Sequence, residues 1–303
     1  MASRAVSFSG FYLAMFVILA ALILRPVGFK YRSKRDSAGW RNGWDWALFV
    51  GGAVPALIFG VAMGNVLQGV PFQLNSDLMV DYNGTFFGLL NPFALLAGIV
   101  SLSMIVMHGA AWLNLKSEGA VQERARNIGA WAALVVIVTY ALAGVWLALG
   151  VGAYEFTAAV PANGPSNPLL TEVAHQGSWM AAYSLRPWIV VAPILGFAGA
   201  ALAYLGLKAG REVTTLLLTS LSIIGIIASV GLTMFPFILP SSIDPNSSLT
   251  VWDSSSSHQT LFIMLVCAVI FVPIVLAYTS WVYKVLWGKV TEKEVTESSD
   301  VVY

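Results

Sequence analysis

Three histidines are the side chains best suited to hold a haem or a metal: His108, His175 and His258. Ligation inside a helix bundle needs imidazoles on facing helices at one depth. His108 lies near one end of an apolar run, His175 in a long polar connector, and His258 at the entrance of the last run. These positions fall at opposite ends of a bundle or in a loop. No haem, cofactor or metal site is therefore expected in this chain. Ion-coupled carriers and proton pumps usually hold ionisable groups at mid-membrane depth. Here no Asp, Glu, Lys or Arg falls in the middle of any apolar run, and there is neither a glycine-rich phosphate loop nor a nucleophile elbow. No residue is expected to be catalytic. Cys267, the single cysteine, lies within an apolar run and reads as a small core residue.

The elements that would position any chemistry are long and apolar. Of 303 residues, 58% are hydrophobic and 10% charged, against about a quarter charged in a soluble domain. A membrane-spanning helix needs roughly 20 apolar residues, and a helix satisfies its own backbone where lipid cannot. Seven runs qualify: 8–24, 46–67, 89–113, 128–149, 188–207, 214–239 and 261–283. The expected fold is an all-α membrane protein of about seven transmembrane helices, forming one polytopic domain over residues 1–303. Its parts are a helix block at 8–149, an outer loop at 150–187, a helix block at 188–283 and a cytoplasmic tail at 284–303. The tail is expected to fray beyond Lys289, and the outer loop, rich in Pro, Asn and Gly over Pro161–Pro168, to be ordered.

Charge sets the orientation. The connectors 25–45, 114–127 and 208–213, with the C-terminal tail, carry 14 of the 16 lysines and arginines. Connectors 68–88, 150–187 and 240–260 carry only Arg186. The positive-inside rule places the basic connectors in the cytoplasm, so the N-terminus is outside and the C-terminus inside. The net charge of +1 gives no reason to expect nucleic acid.

Local signals refine the helices. Arg25-Pro26 is expected to end the first one, the cation suiting the helix dipole and the proline blocking continuation. Pro55, Pro193 and Pro273 fall inside runs and are expected to kink them. Gly60 with Gly64, and Gly206 with Gly210, have the spacing that lets two helices approach closely. Trp40, Trp44, Trp46, Trp188, Trp281 and Trp287 lie near run ends, as an interfacial aromatic belt would.

Several segments are more particular. Arg25-Pro-Val-Gly-Phe-Lys-Tyr-Arg-Ser-Lys34 is followed by Trp40-Arg-Asn-Gly-Trp-Asp-Trp46. Then come Gly64-Asn-Val-Leu-Gln-Gly-Val-Pro-Phe72 and Leu89-Leu-Asn-Pro-Phe-Ala-Leu-Leu-Ala-Gly98. Later stand Met234-Phe-Pro-Phe-Ile-Leu-Pro-Ser-Ser242, Ser248-Leu-Thr-Val-Trp-Asp253 and Val272-Pro-Ile-Val-Leu-Ala-Tyr278. Together, and in this order, they resemble subunit II of the cytochrome bd-type quinol oxidases over essentially the whole chain.

That resemblance implies a bacterial inner-membrane terminal oxidase that oxidises quinol, reduces oxygen to water and adds to the proton gradient by vectorial proton uptake. It implies a heterodimer with subunit I, which carries two b-type haems, one d-type haem and the quinol site. Subunit II would carry no haem, would stabilise its partner among membrane lipids, and would shape proton or oxygen access. In some family members it holds a structural quinone. The family pattern also begins with two further helices, bearing glycine-rich and Trp-Asp motifs, ahead of the segment Phe8–Met15. The expectation is therefore that this chain is an incomplete reading of its gene or a shortened form.

The polar members of the matching segments are Asp45, Asn65, Gln68, Asn91, Trp252 and Asp253. Asn65 and Gln68 belong toward the outer end of the second span, on a face shared with Gly64. They read either as part of a polar path or quinone-facing patch, or as capping and interhelical hydrogen bonds. Asp253 reads as a cap for the seventh helix, and Asp45 invites the same reading at the second. A self-contained transporter would need buried charge pairs or broken helices in two symmetric halves, and neither is evident.

Overall fold

The computed structural model describes residues 10–158 and 170–291. The expectations for the start of the first run, for Pro161–Pro168 and for the tail beyond 291 lie outside the described residues. In chain order the elements are α1 (Tyr12–Tyr31), α2 (Ala38–Gln68), β1 (Phe72–Leu74), β2 (Val80–Tyr82), α3 (Pro92–Lys116) and α4 (Gly119–Gly150). They continue with β3 (Gly152–Phe156), β4 (Val173–Ser178), α5 (Ala181–Leu185), α6 (Val191–Lys208) and α7 (Val213–Met234). Last come β5 (Phe237–Leu239), β6 (Leu249–Thr250), α8 (Val251–Ser254) and α9 (His258–Val285). Among the described residues, seven helices are long and apolar enough to cross a membrane: α1, α2, α3, α4, α6 with its leading turn, α7 and α9.

Four of them close a ring in which α3 packs on α4, α4 on α6, α6 on α7 and α7 back on α3. The ring joins helices from either side of the long 150–187 connector, so neighbours in sequence and neighbours in space divide differently. Outside the ring, α2 packs on α3 and α1 on α2. Small residues make these crossings close. A Cβ added at Gly64 would meet Ala94 Cα at 2.6 Å, and one at Gly98 would meet Val61 Cγ2 at 2.9 Å. The Gly60/Gly64 spacing thus seats α2 against α3. Lipid offers no hydrophobic drive between helices, so such contact carries the association.

The Gly206/Gly210 spacing does something else. Gly210 lies beyond the end of α6 with φ of +70°. Its N–H donates to Leu207 O at 3.2 Å, and Arg211 N–H donates to Gly206 O at 2.9 Å. This is a glycine-terminated helix C-cap, and the left-handed backbone is why glycine stands there. Gly206 itself does seat a close approach, since a Cβ there would meet Thr215 Oγ1 of α7 at 2.5 Å.

The prolines divide. Pro26 does not end α1, which continues to Tyr31. A proline removes one donor and crowds one preceding carbonyl, and the apolar sequence around it supports the remaining ladder. Pro55 and Pro273 lie inside α2 and α9. Pro193 lies instead in the first turn of α6, where few intrahelical donors exist to be lost.

The connectors opposite the basic ones hold strands that apolar periodicity did not show. They form three antiparallel two-stranded pairs, β1–β2, β3–β4 and β5–β6, with registers such as Phe72↔Tyr82 and Glu155↔Ala174. A parallel bridge Val70↔Ser241 links the first connector to the third. Two apolar clusters sit beneath and between them. One contains Leu67, Phe93, Tyr154, Trp179 and Phe237. The other contains Val70, Phe72, Leu74, Leu239 and Leu249. These pairs form a lid over one end of the bundle, called here the β end.

The last helix is the least buried, touching α3 through the Trp112 and Tyr283 rings, 5.9 Å apart. None of the 28 residues of α9 is buried, although its most apolar window has the highest mean hydropathy of the seven helices, 2.9. Cys267, within it, is accordingly exposed on the chain's surface and is not the core residue its neighbours suggested.

Candidate functional site

At the β end the polar candidates from α2 and α3 come together. Asn91 caps α3, its Oδ1 accepting from Ala94 N–H at 2.8 Å. Its Nδ2 donates to Asn65 Oδ1 at 3.0 Å. Asn65 is buried, and its own Nδ2 donates to Val61 O at 2.8 Å and to Leu89 O at 2.7 Å. Both amides thus spend their groups on each other and on backbone. Gln68 takes no part in this pair, and its Oε1 is buried without a hydrogen-bond partner.

Two aromatic residues from the long connector close the end of α2, and neither was singled out from the sequence. Tyr154 O–H donates to Gln68 O at 3.2 Å, and Trp179 Nε1–H donates to Leu67 O at 3.1 Å. They satisfy carbonyls of the last helical turn, which have no partner within the helix. Burial pushes the Tyr154 phenol up to about 12. His175 stacks on the Tyr154 ring at 4.6 Å between centroids. A polar-loop composition hides such residues, because their value lies in what they reach.

Trp252 is half-buried between Phe156 and Phe235, with ring centroids 6.1 and 6.3 Å away. Asp253 does not cap the seventh spanning helix. That cap is Ser257, whose Oγ accepts from Thr260 N–H at 3.5 Å. Asp253 is buried in α8, where its N–H donates to Thr250 Oγ1 at 3.4 Å and its carboxylate accepts from the Thr250 hydroxyl. The four intervening residues put it a turn too early to reach α9.

At the opposite, basic end, Asp45 is also no cap. It lies inside α2, whose N-cap is Ser37. It accepts from Arg32 Nε at 2.5 Å and Arg32 Nη2 at 3.2 Å, pinning the α1–α2 turn.

The densest polar cluster is at this end and centres on Asn114, which is fully buried. Its Oδ1 accepts from Arg126 Nε at 2.7 Å and its Nδ2 donates to Arg211 O at 3.1 Å. Gln122 Nε2 donates to Asn114 O at 2.8 Å and to Glu212 Oε1 at 3.0 Å. Glu212 Oε1 also accepts from Lys289 Nζ at 2.6 Å. Lys116 reaches the carbonyls of Leu286 and Gly288, and Val290 N–H donates to Lys116 O at 2.8 Å. The segment after α9 is thereby strapped to the α3–α4 turn and the α6–α7 connector. Asn114 follows directly on an apolar run, and that was the one signal available for it.

The hydrogen bond from Lys289 is the chief reason the Glu212 carboxyl lies below its ordinary value of 4.5, with smaller help from Gln122 and Arg126. A depressed carboxyl pKa stabilises above the ordinary value and stops doing so as pH falls through the lowered one. Spin labels at Glu118 and Thr291 are therefore expected to keep a short, narrow distance distribution at neutral pH. The distribution should broaden as pH falls below about 4.5, the ordinary glutamate value. Glu212→Gln should loosen the strap at neutral pH. An unchanged distribution in both cases would contradict the Lys289 contact.

Within the ring, polar contacts cross between helices. His108 Nδ1 lies 3.0 Å from Thr219 Oγ1, and the Tyr140 hydroxyl lies 2.6 Å from Ser229 Oγ. Ser222 Oγ–H donates to Gly196 O at 2.8 Å. His258 begins α9. Among the described residues, no three of His, Cys, Asp and Glu are grouped as a metal site requires. The described arrangement holds helices together and ties down both ends of the bundle.

Comparison with known proteins adds identity to this geometry. The sequence profile of the family described as cytochrome bd terminal oxidase subunit II matches residues 2–286. The chain is 46% identical over 300 residues to the probable cytochrome oxidase subunit 2 of Haemophilus influenzae, covering 99% of this chain and 79% of that one. It is 43% identical over 300 residues to the cytochrome bd-I ubiquinol oxidase subunit 2 of Escherichia coli K12, with the same coverage. In three dimensions it is similar to a chain of the bd oxidase from Geobacillus thermodenitrificans, with a TM-score of 0.61, 11% identity, and coverage of 94% of this chain and 77% of that one. The last likeness speaks to fold alone.

Proposed function

Because this chain belongs to the family of subunit II of the cytochrome bd terminal oxidases, we propose that it is the haem-free partner in a bacterial quinol:oxygen oxidoreductase. The observation that carries this reading is 43% identity to a ubiquinol oxidase subunit across 99% of the chain. The chain is a subunit of an oxidoreductase complex in the bacterial inner membrane. Subunit I supplies the two b-type haems, the d-type haem and the quinol site. Electrons pass from quinol to oxygen there, and this chain packs beside it as a scaffold.

The described residues support the scaffold role. Support for a haem-free chain comes from the histidines: His108 is engaged with Thr219, His175 is exposed on β4 with its ring on Tyr154, and His258 opens a helix with no buried residue. The Asn65–Asn91 pair supports packing more than proton transfer, since its donors end on backbone and on each other. Purified without subunit I, the chain is expected to show no haem absorption. A stoichiometric Soret band from the isolated chain would overturn this part of the reading.

We place the basic end in the cytoplasm. The support is the charge asymmetry of the connectors. With Cys267 changed to Ser, single cysteines at Ser33 and Asp77 should report it. An impermeant thiol reagent on intact spheroplasts should label position 77 and spare 33. The reverse pattern would invert the topology.

A further inference from the structure

We propose that the elbow between α1 and α2 binds the phosphate of an anionic phospholipid. Residues 25–45 hold six cations, Arg25, Lys30, Arg32, Lys34, Arg35 and Arg41, against two acids, Asp36 and Asp45. Both acids are taken. Asp45 pairs with Arg32 at 2.5 Å and Asp36 with Arg41 at 3.2 Å. Two further cations lie on rings, Lys34 over Tyr31 at 5.0 Å and Arg35 over Trp40 at 4.8 Å. Lys30 and Arg25 have neither a carboxylate nor a ring partner among the described residues.

Lys30 instead lines an open cleft of about 290 Å³ with Ser33, Pro26 and Phe29. The chemistry of that lining is divided. An ammonium and a hydroxyl offer donors to phosphate oxygens, while the proline and phenylalanine offer an apolar wall. The cleft lies at the last turn of a 20-residue spanning helix, the depth at which a lipid headgroup meets its acyl chains. Tyr31, Trp40 and Trp44 cluster at the same end of α1 and α2, with Trp44 5.8 Å between centroids from both Tyr31 and Trp40. Such amphipathic rings favour the headgroup level. A basic cluster next to a spanning helix attracts anionic lipid at about 1 kcal/mol per cation. A soluble phosphate would satisfy the donors but would make no use of the wall.

The test uses the intact complex with subunit I, delipidated and placed in phosphatidylcholine nanodiscs. Phosphatidylglycerol is titrated in and retained lipid is counted by native mass spectrometry. Lys30→Ala is expected to lower retention about fivefold, the change that roughly 1 kcal/mol represents. Lys30→Arg should retain the lipid, and Lys208→Ala, which removes a cation elsewhere at the same end, should leave retention unchanged. Inorganic phosphate should not displace the lipid. Equal retention by wild type and Lys30→Ala would overturn the proposal, as would an equal loss in Lys208→Ala. Displacement by inorganic phosphate would make this a soluble-anion site. Efficient crosslinking of Ser33→Cys to subunit I would assign the elbow to the partner protein instead of lipid.

Discussion

Replacing Gly225 with valine is expected to destabilise the helix ring more than any other single change considered. A Cβ at Gly225 would meet Ala192 O at 2.7 Å and the Leu195 carbonyl carbon at 2.8 Å, besides the Gly196 nitrogen. These are backbone atoms of α6, and they cannot rotate away as a side chain can. On the facing helix, Gly199 approaches Ser222 N within 2.7 Å of its own Cβ position. The two helices must therefore separate, and the Ser222–Gly196 hydrogen bond goes with them. Overpacking a core costs roughly 1–3 kcal/mol, occasionally more. In lipid no hydrophobic drive recloses the gap. Unfolding in mild detergent should show a large loss of stability for Gly225→Val. The control is Gly231→Val on the same helix, where an added Cβ meets nothing within 4 Å. Equal behaviour of the two variants would contradict the α6–α7 contact.

The second large effect is expected at Asn114. Leucine there is close in volume but supplies no acceptor for Arg126 and no donor for Arg211 O. The Arg126 guanidinium would keep only its long contact of 3.5 Å to Gly210 O among its described side-chain bonds. Leaving a buried polar group unmet costs roughly 1–3 kcal/mol, and more when it is charged. Because Arg126 is half-buried, water recovers part of that cost. Asn114→Leu should thus destabilise by about 2 kcal/mol, while Asn114→Asp, which keeps the acceptor, should cost less. Combined with Arg126→Ala, the effect of Asn114→Leu should shrink, with a coupling of about 1 kcal/mol or more. Strict additivity would mean that the two residues do not share this bond.

Both sites show where the sequence was readable and where it was not. The seven spans were legible because a lipid-facing helix must be apolar along its whole length, whatever its neighbours. Their neighbours were not legible. A hydropathy run such as 261–283 looks the same packed in a ring or left without a buried residue, as α9 is. The Gly60/Gly64 and Gly206/Gly210 pairs share one spacing, yet both glycines of the first face α3, while in the second only Gly206 faces a helix and Gly210 makes a C-cap. Spacing reports periodicity, and the helix had already stopped at Lys208. The β-end lid was hidden because its strands are only two to six residues long, too short for an alternating pattern to stand out.

The polar candidates divide the same way. Asn65 and Asn91 came from two separate segments of the sequence resemblance, and they meet because α2 and α3 cross there. Asp45 and Asp253 looked like caps from their nearness to run ends, but true helix starts lay elsewhere, at Ser37 and Ser257. Asn114, Tyr154 and Trp179 carry contacts across 97, 86 and 112 residues of chain. Partners that distant leave no local mark.

If this chain is the haem-free second subunit of a cytochrome bd oxidase, as proposed above, it should assemble with a haem-bearing subunit I. The most direct measurement is to co-express it, affinity-tagged, with a subunit I in cells lacking their own bd oxidase, and to purify through the tag in mild detergent. The expected product is an equimolar complex that shows both b-type and d-type haem absorption and consumes oxygen when given quinol. A chain that repeatedly purifies alone, while subunit I is present in the same membranes, would contradict it.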